Sequence, residues 1–361
     1  MMINTSALAA YAQYTLAESF IPELPGRYRG KVRENYDLRD GTHILIATDR
    51  ISAFDRILTA IPLKGLVLTQ TARFWFEATK GLCRNHVIEY PDPNVLVCKR
   101  LLMMPVEIVV RDYLAGTTST SILQMYKKGS REMYGHRLPE GLRDNQKLPE
   151  TIITPTTKAE QGDHDAPLSA EKILARKLLT EKQWWEVSEK ALALFASGRE
   201  LAAKRGLILV DTKYEFGFDE NGAIVLADEV HTPDSSRYWV SASYSARFAA
   251  GEPPDTLDKD FIRRWVAARC DPYKDQIPDI PPDVILEAAL KYVNVYEQLT
   301  RQELELPDAT VPPLTRPRES KEIFRDGCLG WCNLQRWARK VCLRGTADTM
   351  ASSRHLLNRR L

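Results

Sequence analysis

"LILVDTKYEF", residues 207–216, begins as an apolar run and then places a charged residue at every second position. Alternate side chains of an extended strand share one face. The even-numbered residues from Ile208 to Phe216 would therefore face a core. The odd-numbered Asp211, Lys213 and Glu215 would share the opposite face. The pattern predicts a long strand with one charged face.

A second strand is predicted directly after this one. The loop "FDENG" reverses the chain, and a partner strand over residues 223–230 would bring Asp228 or Glu229, depending on register, beside those charges. Carboxylates gathered on two paired strands repel one another unless a cation joins them, and oxygen ligands suit Mg²⁺. The alternative is a solvated hairpin in which alternating charges protect a sheet edge. These residues alone leave both interpretations open.

Composition indicates an ordinary globular protein. The chain has 361 residues, of which 44% are hydrophobic and 27% charged, with a net charge of +2. This length is enough for two or more domains. No apolar stretch is long enough to cross a bilayer, and no cation precedes Arg27, so we expect a cytoplasmic protein without membrane contact. The six scattered cysteines predict reduced thiols.

The last part of the chain differs from the rest. Residues 301–361 contain 12 Lys or Arg against 7 Asp or Glu. No helix-turn-helix or glycine-aromatic pattern accompanies these cations, so nucleic-acid binding is not favoured and a basic appendage is expected. The spacing of its cysteines, with His355, is poor for zinc. Residues 329–343 could form a helix with one apolar stripe.

Periodicity gives the coarse organisation. Residues up to about 115 contain an early helical segment, 6–20, followed by strands such as "HILIATD" and "VEIVVRDYL". A helix is predicted over 183–203, with a capping box between Thr180 and Gln183 and Gly206 after its end. Two more amphipathic helices fit residues 257–270 and 282–300.

Two further segments bring cations together. In "GRYRGKVRENY", residues 26–36, the alternation places Arg29, Lys31 and Arg33 on one strand face, and glycine at position 30 permits close approach to a phosphate. The chain has no G-x-x-x-x-G-K-[ST] run, which excludes a P-loop enzyme.

The second segment is "PVEIVVRDYLAGT", residues 105–117. It places Glu107, Val109 and Arg111 on one strand face and then enters a glycine turn at Gly116. Thr117 follows the turn, and a hydroxyl beside a guanidinium group could hold a phosphate. A structural arginine on a strand edge is the alternative interpretation of this segment.

Six motifs in order resemble those of the SAICAR synthetase family, in its longer form. The resemblance covers about residues 15–300 and rests on "GKVRENY" (30–36), "ATDRISAFD" (47–55), "MPVEIVVRDYLAGT" (104–117), "ITPTTKAEQGDHD" (153–165), "VDTKYEFG" (210–217) and "DEVHTPDSSRYW" (228–239). It implies an α+β fold with a sheet-rich N-terminal nucleotide-binding domain over residues 1–115, like a kinase small lobe. A second α+β domain would span residues 116–300, ATP would bind in the cleft between the two, and the basic appendage would span 301–361.

The resemblance also implies the reaction. The family's enzymes are ligases that use ATP and Mg²⁺ to join L-aspartate to the carboxylate of carboxyaminoimidazole ribotide through an acyl phosphate. The products are SAICAR, ADP and phosphate, in de novo purine biosynthesis. Such a mechanism needs fixed cations and a metal rather than a protein nucleophile.

Matching the motifs residue by residue implies roles for this chain. The ATP-binding residues would be Gly30, Lys31, Val32, Arg33, Lys99 and Glu107. The substrate-binding residues would be Asp49, Arg50, Ser52, Arg111, Thr117, Lys158 and Arg237. Lys213, Asp211 and Glu215 would be catalytic, and Glu215 and Asp228 would hold the metal.

Other functions stay open at this stage. Another ATP-dependent carboxylate–amine ligase or a small-molecule kinase would keep the hairpin and the carboxylates, but need not keep Arg111, Thr117 and Arg237 together. A protein kinase is disfavoured because the chain lacks H-R-D and D-F-G segments. An inactive binding scaffold is disfavoured because no charged site residue is missing. His231, where the family commonly has an apolar residue, is expected to act as a local hydrogen-bonding group. The sequence leaves the oligomeric state open.

Overall fold

The computed structural model describes residues 5–118, 120–158 and 166–307. The elements of its first part are α1 (Thr5–Ala12), β1 (Arg27–Arg29), β2 (Arg33–Asp37), β3 (Thr42–Ala47), β4 (Arg50–Ala53), β5 (Arg56–Ala60), α2 (Lys64–Ala78), β6 (Val87–Asp92) and β7 (Val95–Lys99). The strands that follow are β8 (Leu102–Met103), β9 (Val106–Tyr113), β10 (Glu132–Met133), β11 (His136–Arg137), β12 (Lys147–Ile153), β13 (Thr156–Thr157), β14 (Leu207–Phe218), β15 (Ile224–Ala227) and β16 (Ser236–Val240). The helices interspersed with them are α3 (Ile122–Lys127), α4 (Ala170–Ala175), α5 (Glu181–Lys204), α6 (Ser241–Ala250), α7 (Asp260–Ala267) and α8 (Pro282–Thr300).

Two antiparallel sheets organise these elements. The first has the strand order β1-β2-β3-β7-β6, and the second has the order β12-β9-β14-β15, with β13 on β9 and with β8 and β16 on β14. The chain therefore changes from one sheet to the other between Lys99 and Leu102, before the predicted boundary at residue 115. Helix α8 packs on α1 and α2 of the first part. The division into residues 1–115, 116–300 and 301–361 stays a prediction. Helix α8 of the second range packs on helices of the first range, so this packing does not separate the two.

The long charged strand is present, and its alternation is interrupted. β14 covers the predicted strand and extends to Phe218. Tyr214 and Phe216 pack in the main core, whereas Val210 packs in a separate cluster with Trp239. The prediction that all even-numbered residues share one face is therefore wrong. A register shift against β16 between Leu209 and Asp211 changes which residues face the main core, as a β-bulge does.

The predicted helices form with small differences at their ends. α5 begins after Thr180, and its capping box with Gln183 is confirmed. α8 matches the predicted range, and α7 is shorter than predicted. α1 ends at Ala12, earlier than the predicted segment, and the Thr15 hydroxyl donates to the Ala12 carbonyl, 2.7 Å away.

Three cysteines lie in the described part of the chain, and Cys83, Cys98 and Cys270 are free thiols, as predicted. The cysteines of the predicted basic appendage and its helix at 329–343 lie outside the described residues. Within the described ranges, no helix combines the length and apolar character that a membrane span requires.

Candidate active site

A cleft of about 590 Å³ lies over the charged faces of β9 and β14. Its other walls come from the turn between β1 and β2, from the β4–β5 hairpin and from the start of α7. Side chains from these three walls are Lys31, Ser52, Asp55 and Lys259. The cleft is thus lined by residues from both 1–115 and 116–300, as the family resemblance implies.

Strand register sets the order of charges on the cleft floor. β9 and β14 are antiparallel neighbours, and Arg111 pairs with Asp211 while Val109 pairs with Lys213. The side chains of Glu107, Val109 and Arg111 all line the cleft, which confirms that they share one face. The alternation of two strands therefore brings two rows of charge together.

Two guanidinium groups converge on one carboxylate at one end of the cleft. Nη1 of Arg111 and Nη1 of Arg237 each donate to Oδ2 of Asp211 at 2.5 Å. Nε of Arg111 donates to the Thr154 hydroxyl at 2.8 Å. Burial disfavours the charged form of Arg237, but Asp211 and Asp260 outweigh it and raise the pKa of Arg237 above its usual range. Both arginines are therefore fixed cations that still line the cleft.

Lys213 occupies the next position along the floor. Its ammonium lies 2.8 Å from Oε1 of Glu107 and 2.5 Å from Oε1 of Glu215. Although burial opposes the charge, these two carboxylates raise the pKa of Lys213 well above its usual value. Nζ of Lys158 lies 2.5 Å from the other oxygen of Glu215. Burial favours the protonated form of Glu215, but Lys213 and Lys158 reverse this effect and lower its pKa.

Asp228 lies beside these charges through strand pairing. β15 pairs Ala227 with Glu215, and Asp228 follows at a positive φ of 61°. Nη1 of Arg33 lies 2.5 Å from Oδ1 of Asp228, and Nη2 lies 3.0 Å from Glu229. Arg33 therefore joins the first sheet to the carboxylates after β15.

The turn between β1 and β2 carries the predicted phosphate-covering residues. The prediction that Arg29, Lys31 and Arg33 share one strand face is wrong, because residues 30–32 form the turn and Arg33 begins β2. Lys31 projects over the cleft and its ammonium lies 2.7 Å from Asp55. The hydroxyl of Thr48 donates to the Val32 carbonyl at 2.7 Å. The backbone of this turn is thus anchored on the first sheet.

Arg50 also supports this turn instead of lining the cleft. Its guanidinium donates to the backbone carbonyls of Lys31 and Gly30, at 3.0 and 2.9 Å, and to Glu34 at 2.7 Å. Only 3% of the residue is exposed, so these contacts occupy it. Asp49 is buried in the same way and accepts from the backbone amides of Leu16 and Gly65. Burial raises the pKa of Asp49 to about 6.

Lys99 and Thr117 also lie outside the lining of the cleft, as do the predicted site residues Gly30, Val32, Arg33, Glu215 and Asp228. Lys99 ends β7 and shares the alternation of Val95 and Val97, which pack in the cluster on the far face of the first sheet. Thr117 follows the glycine turn and donates to Asp260 at 3.1 Å. Gly116 has a φ of 125°, and a Cβ at this position would lie 2.3 Å from Cβ of Ser121, so the turn requires glycine.

Sequence reasoning did not find a second charged group in the cleft. Asp234 accepts from Lys64 at 2.8 Å and from the Tyr292 hydroxyl at 2.6 Å, and it lies 3.6 Å from Lys259. Lys259 and Arg263 both line the cleft. Burial lowers the pKa of Lys259 to about 8, although Asp234 opposes this shift. The charges of "LDKDFIRRW" were a signal for this group, but they fit an amphipathic helix equally well.

His231 is a buried hydrogen-bonding group, as expected. Its Nε2 contacts the Tyr214 hydroxyl, and its ring packs edge-on against Trp75 with 4.6 Å between ring centroids. Burial lowers the pKa of His231 to about 3. It is therefore neutral and lies in the core beneath β14.

The donors available to a metal ion are limited. Across the described ranges, no three His, Cys, Asp or Glu side chains form a group that could hold an ion by themselves. Glu215 and Asp228 supply two carboxylates, and Lys213, Lys158 and Arg33 already contact them. Mg²⁺ commonly binds through one or two carboxylates together with substrate phosphates and water. The donor set fits an ion that arrives with a nucleotide.

Comparison with known proteins identifies the family. Residues 26–280 match the family described as SAICAR synthetase. A relative in Agrobacterium fabrum (strain C58) is 61% identical over 312 residues, which are 86% of this chain and 99% of the relative. The phosphoribosylaminoimidazole-succinocarboxamide synthase of Legionella pneumophila (strain Lens) is 50% identical, over 80% of this chain and 91% of its own.

A solved structure agrees with the sequence relatives. The SAICAR synthase of Saccharomyces cerevisiae, solved with SAICAR, is 33% identical with a TM-score of 0.68, over 80% of this chain and 99% of its own. The chain therefore belongs to the SAICAR synthetase family, whose members are ATP-dependent ligases that form SAICAR in purine biosynthesis.

Proposed function

We propose that the cleft over β9 and β14 is where this chain forms SAICAR, and that Arg111 and Arg237 bind the phosphate of the ribotide substrate. The observation that carries this proposal is the convergence of both guanidinium groups on one oxygen of Asp211, 2.5 Å from each. Guanidinium groups bind phosphate through paired hydrogen bonds. Asp211 holds the two groups at one end of the cleft before a phosphate enters.

Lys213 acts on the carboxylate of the ribotide in this proposal. The carboxylate attacks the terminal phosphorus of ATP, the bond from that phosphorus to ADP breaks, and an acyl phosphate forms. The amine of L-aspartate then attacks the acyl carbon, phosphate leaves, and the amine loses a proton. Because Glu107 and Glu215 keep Lys213 charged and in place, it can offset the negative charge that gathers in both steps.

The nucleotide phosphates lie beneath the turn formed by Gly30, Lys31 and Val32. The turn's anchored backbone and the exposed ammonium of Lys31 support this assignment. Arg50 and Asp49 act as supports of the fold rather than as ligands of a substrate. Lys99 is not included among the nucleotide-binding residues, because it lies on the far face of the first sheet.

Glu215 and Asp228 are the residues that would hold Mg²⁺ when it arrives with the nucleotide. A bound magnesium ion would neutralise charge on the transferring phosphoryl group. The lowered pKa of Glu215 supports this role, since the carboxylate is ionised at neutral pH. Arg33 orients Asp228, and Lys158 orients Glu215.

Lys259 and Arg263 bind the carboxylates of L-aspartate. They line the same cleft as Lys213 and lie at the start of α7, where Asp260 is 3.8 Å from Nε of Arg237. Asp234 holds this part of the cleft in place because Lys64, Lys259 and Tyr292 all contact it. We also propose that the protein is located in the cytoplasm, as the sequence predicts.

The test of the whole assignment is ADP release by the purified chain. Release should require both the ribotide and L-aspartate, and omission of either should reduce it to background. ADP release that needs neither substrate would contradict the assignment of the cleft as a ligase site.

A further inference from the structure

A groove separate from the cleft lies on the outer side of α2. It has a volume of about 890 Å³ and runs between α2, the β6–β7 turn and the segment that follows α8. No residue that lines it also lines the cleft. The catalytic site therefore does not account for this groove.

The groove combines an apolar floor with an acidic rim. Phe74, Tyr90 and Tyr296 contribute aromatic rings, and Pro91 and Pro93 flank them. The acidic side chains that line it are Glu77, Asp92, Glu303 and Glu305. Arg73 is the single cation among the described residues of the lining, and its guanidinium lies over the ring of Tyr90, 5.3 Å from the centroid. This chemistry suits an apolar segment that carries positive charge.

The described part of the chain ends beside this groove. Glu303 and Glu305 line the groove, and the Pro307 carbonyl accepts from the Tyr11 hydroxyl at 2.9 Å. Another 54 residues follow, of which 311–361 contain 11 Lys or Arg against 4 Asp or Glu. The described chain therefore ends two residues after Glu305 of the acidic rim, and the basic segment begins four residues after that end in the sequence.

The sequence of the segment has the complementary pattern. In residues 329–343 a helical spacing would place four apolar side chains on one stripe, namely Trp331, Leu334, Trp337 and Val341. Arg336, Arg339 and Lys340 fall between these positions. A stripe of this kind must pack on the enzyme or find a partner.

We propose that residues 329–343 bind in the acidic groove of the same chain. Residues 308–328 provide the connection, and at about 3.3–3.6 Å per extended residue they can reach roughly 70 Å, far more than an adjacent groove requires. A connected segment also has an effective concentration in about the millimolar range, so contacts of modest affinity suffice. The family match ends at residue 280, so residues 329–343 lie outside it.

Amide hydrogen exchange on the full chain tests this contact. The reporter segments are residues 70–78 of α2 and residues 90–93, which are the end of β6 and the start of the β6–β7 turn. Two variants weaken the contact from outside these segments: Trp331→Ser with Trp337→Ser removes the apolar stripe, and Glu305→Lys reverses a charge of the rim. Each should speed exchange of the reporter segments about tenfold relative to the unaltered chain.

A matched control separates this effect from a general change of charge. Glu150 is an exposed carboxylate of β12 outside the groove, and Glu150→Lys should leave the reporter segments unchanged. For the unaltered chain, 0.5 M salt should also speed exchange, because screening weakens the rim's attraction. Unchanged melting temperatures in all variants would exclude loss of the fold as the cause.

Two results would overturn the proposal. If exchange of the reporter segments is the same in the unaltered chain and in both groove variants, residues 329–343 do not cover the groove. If protection depends on protein concentration, a second copy covers the groove and binding within one chain is wrong.

Discussion

Replacing Arg111 with methionine should raise the KM for the ribotide and leave the KM for ATP nearly unchanged. The side chain of Arg111 is about one-tenth exposed, and it contacts Asp211 and Thr154. In the proposed complex it makes a charge-assisted hydrogen bond to the substrate phosphate. Such bonds contribute roughly 1.5–3 kcal/mol, which corresponds to a change of about 10- to 150-fold in the KM.

The fold should tolerate this replacement. Asp211 keeps its 2.5 Å contact with Arg237, so the substitution does not leave a buried carboxylate without a cation. Methionine also retains much of the apolar stem of arginine. We therefore expect the melting temperature to change little while ribotide binding weakens.

Arg199→Met is the matched control. Arg199 also pairs with a carboxylate next to β9, at 2.9 Å from Asp112, but Asp112 is adjacent to Arg111 in the strand and faces the other way. Steady-state kinetics of ADP release should show the increase for Arg111→Met only. An equal rise in the KM for ATP would assign Arg111 to the nucleotide site, and an equal effect of Arg199→Met would mean that the change is structural.

Three more outcomes are expected. Glu215→Gln and Asp228→Asn should each lower Mg²⁺-dependent turnover by about 10²-fold or more with the fold retained. Turnover is measured across a magnesium titration, and near-normal turnover in both variants would contradict the metal assignment. Burial lowers the pKa of Lys259, beside Asp234, to about 8, so its ammonium is present below that pH and is lost above it. The KM for L-aspartate should therefore rise above pH 8. Lys259→Arg should remove this rise because arginine stays charged. If the rise persists in that variant, another group controls it. Deletion of residues 312–361 should leave kcat and each KM within about three-fold, which steady-state kinetics at matched concentration would check; a loss of ten-fold or more with normal circular dichroism would show that these residues complete the site.

The sequence was most informative where two strands determine the geometry. Strand alternation alone predicted the shared face of Glu107 and Arg111 and that of Asp211 and Lys213. It could not predict the irregularity after Leu209, because a bulge depends on the pairing with β16 rather than on the strand's own residues. The resulting error concerned the core and did not affect the charged face.

Residue type was less informative where a charge supports the fold. Arg50 and Asp49 lie within a family motif, yet the Arg50 side chain binds the backbone of the turn between β1 and β2, and the Asp49 side chain binds the backbone at the start of α2. Lys64 is the opposite case, a charged residue whose importance the sequence did not show. Nothing in the sequence distinguishes it from a surface lysine at the start of a helix, yet its side chain is completely buried against Asp234. A motif match shows only that the expected residue type is present at a position. The structure is needed to show which atoms that side chain contacts.

The cleft is charged yet internally paired before any substrate enters. Arg111 and Arg237 share Asp211, Lys213 lies between two carboxylates, and Lys259 contacts Asp234. Unpaired cations in such a buried site would be costly, and their pKa values would fall. Pairing opposes this cost and orients the cations, so in the proposed complex an incoming phosphate or carboxylate meets preorganised donors instead of side chains that must first lose water and reorient. In the proposed function, these carboxylates therefore act on anionic substrates indirectly, by holding the cations that would bind those substrates.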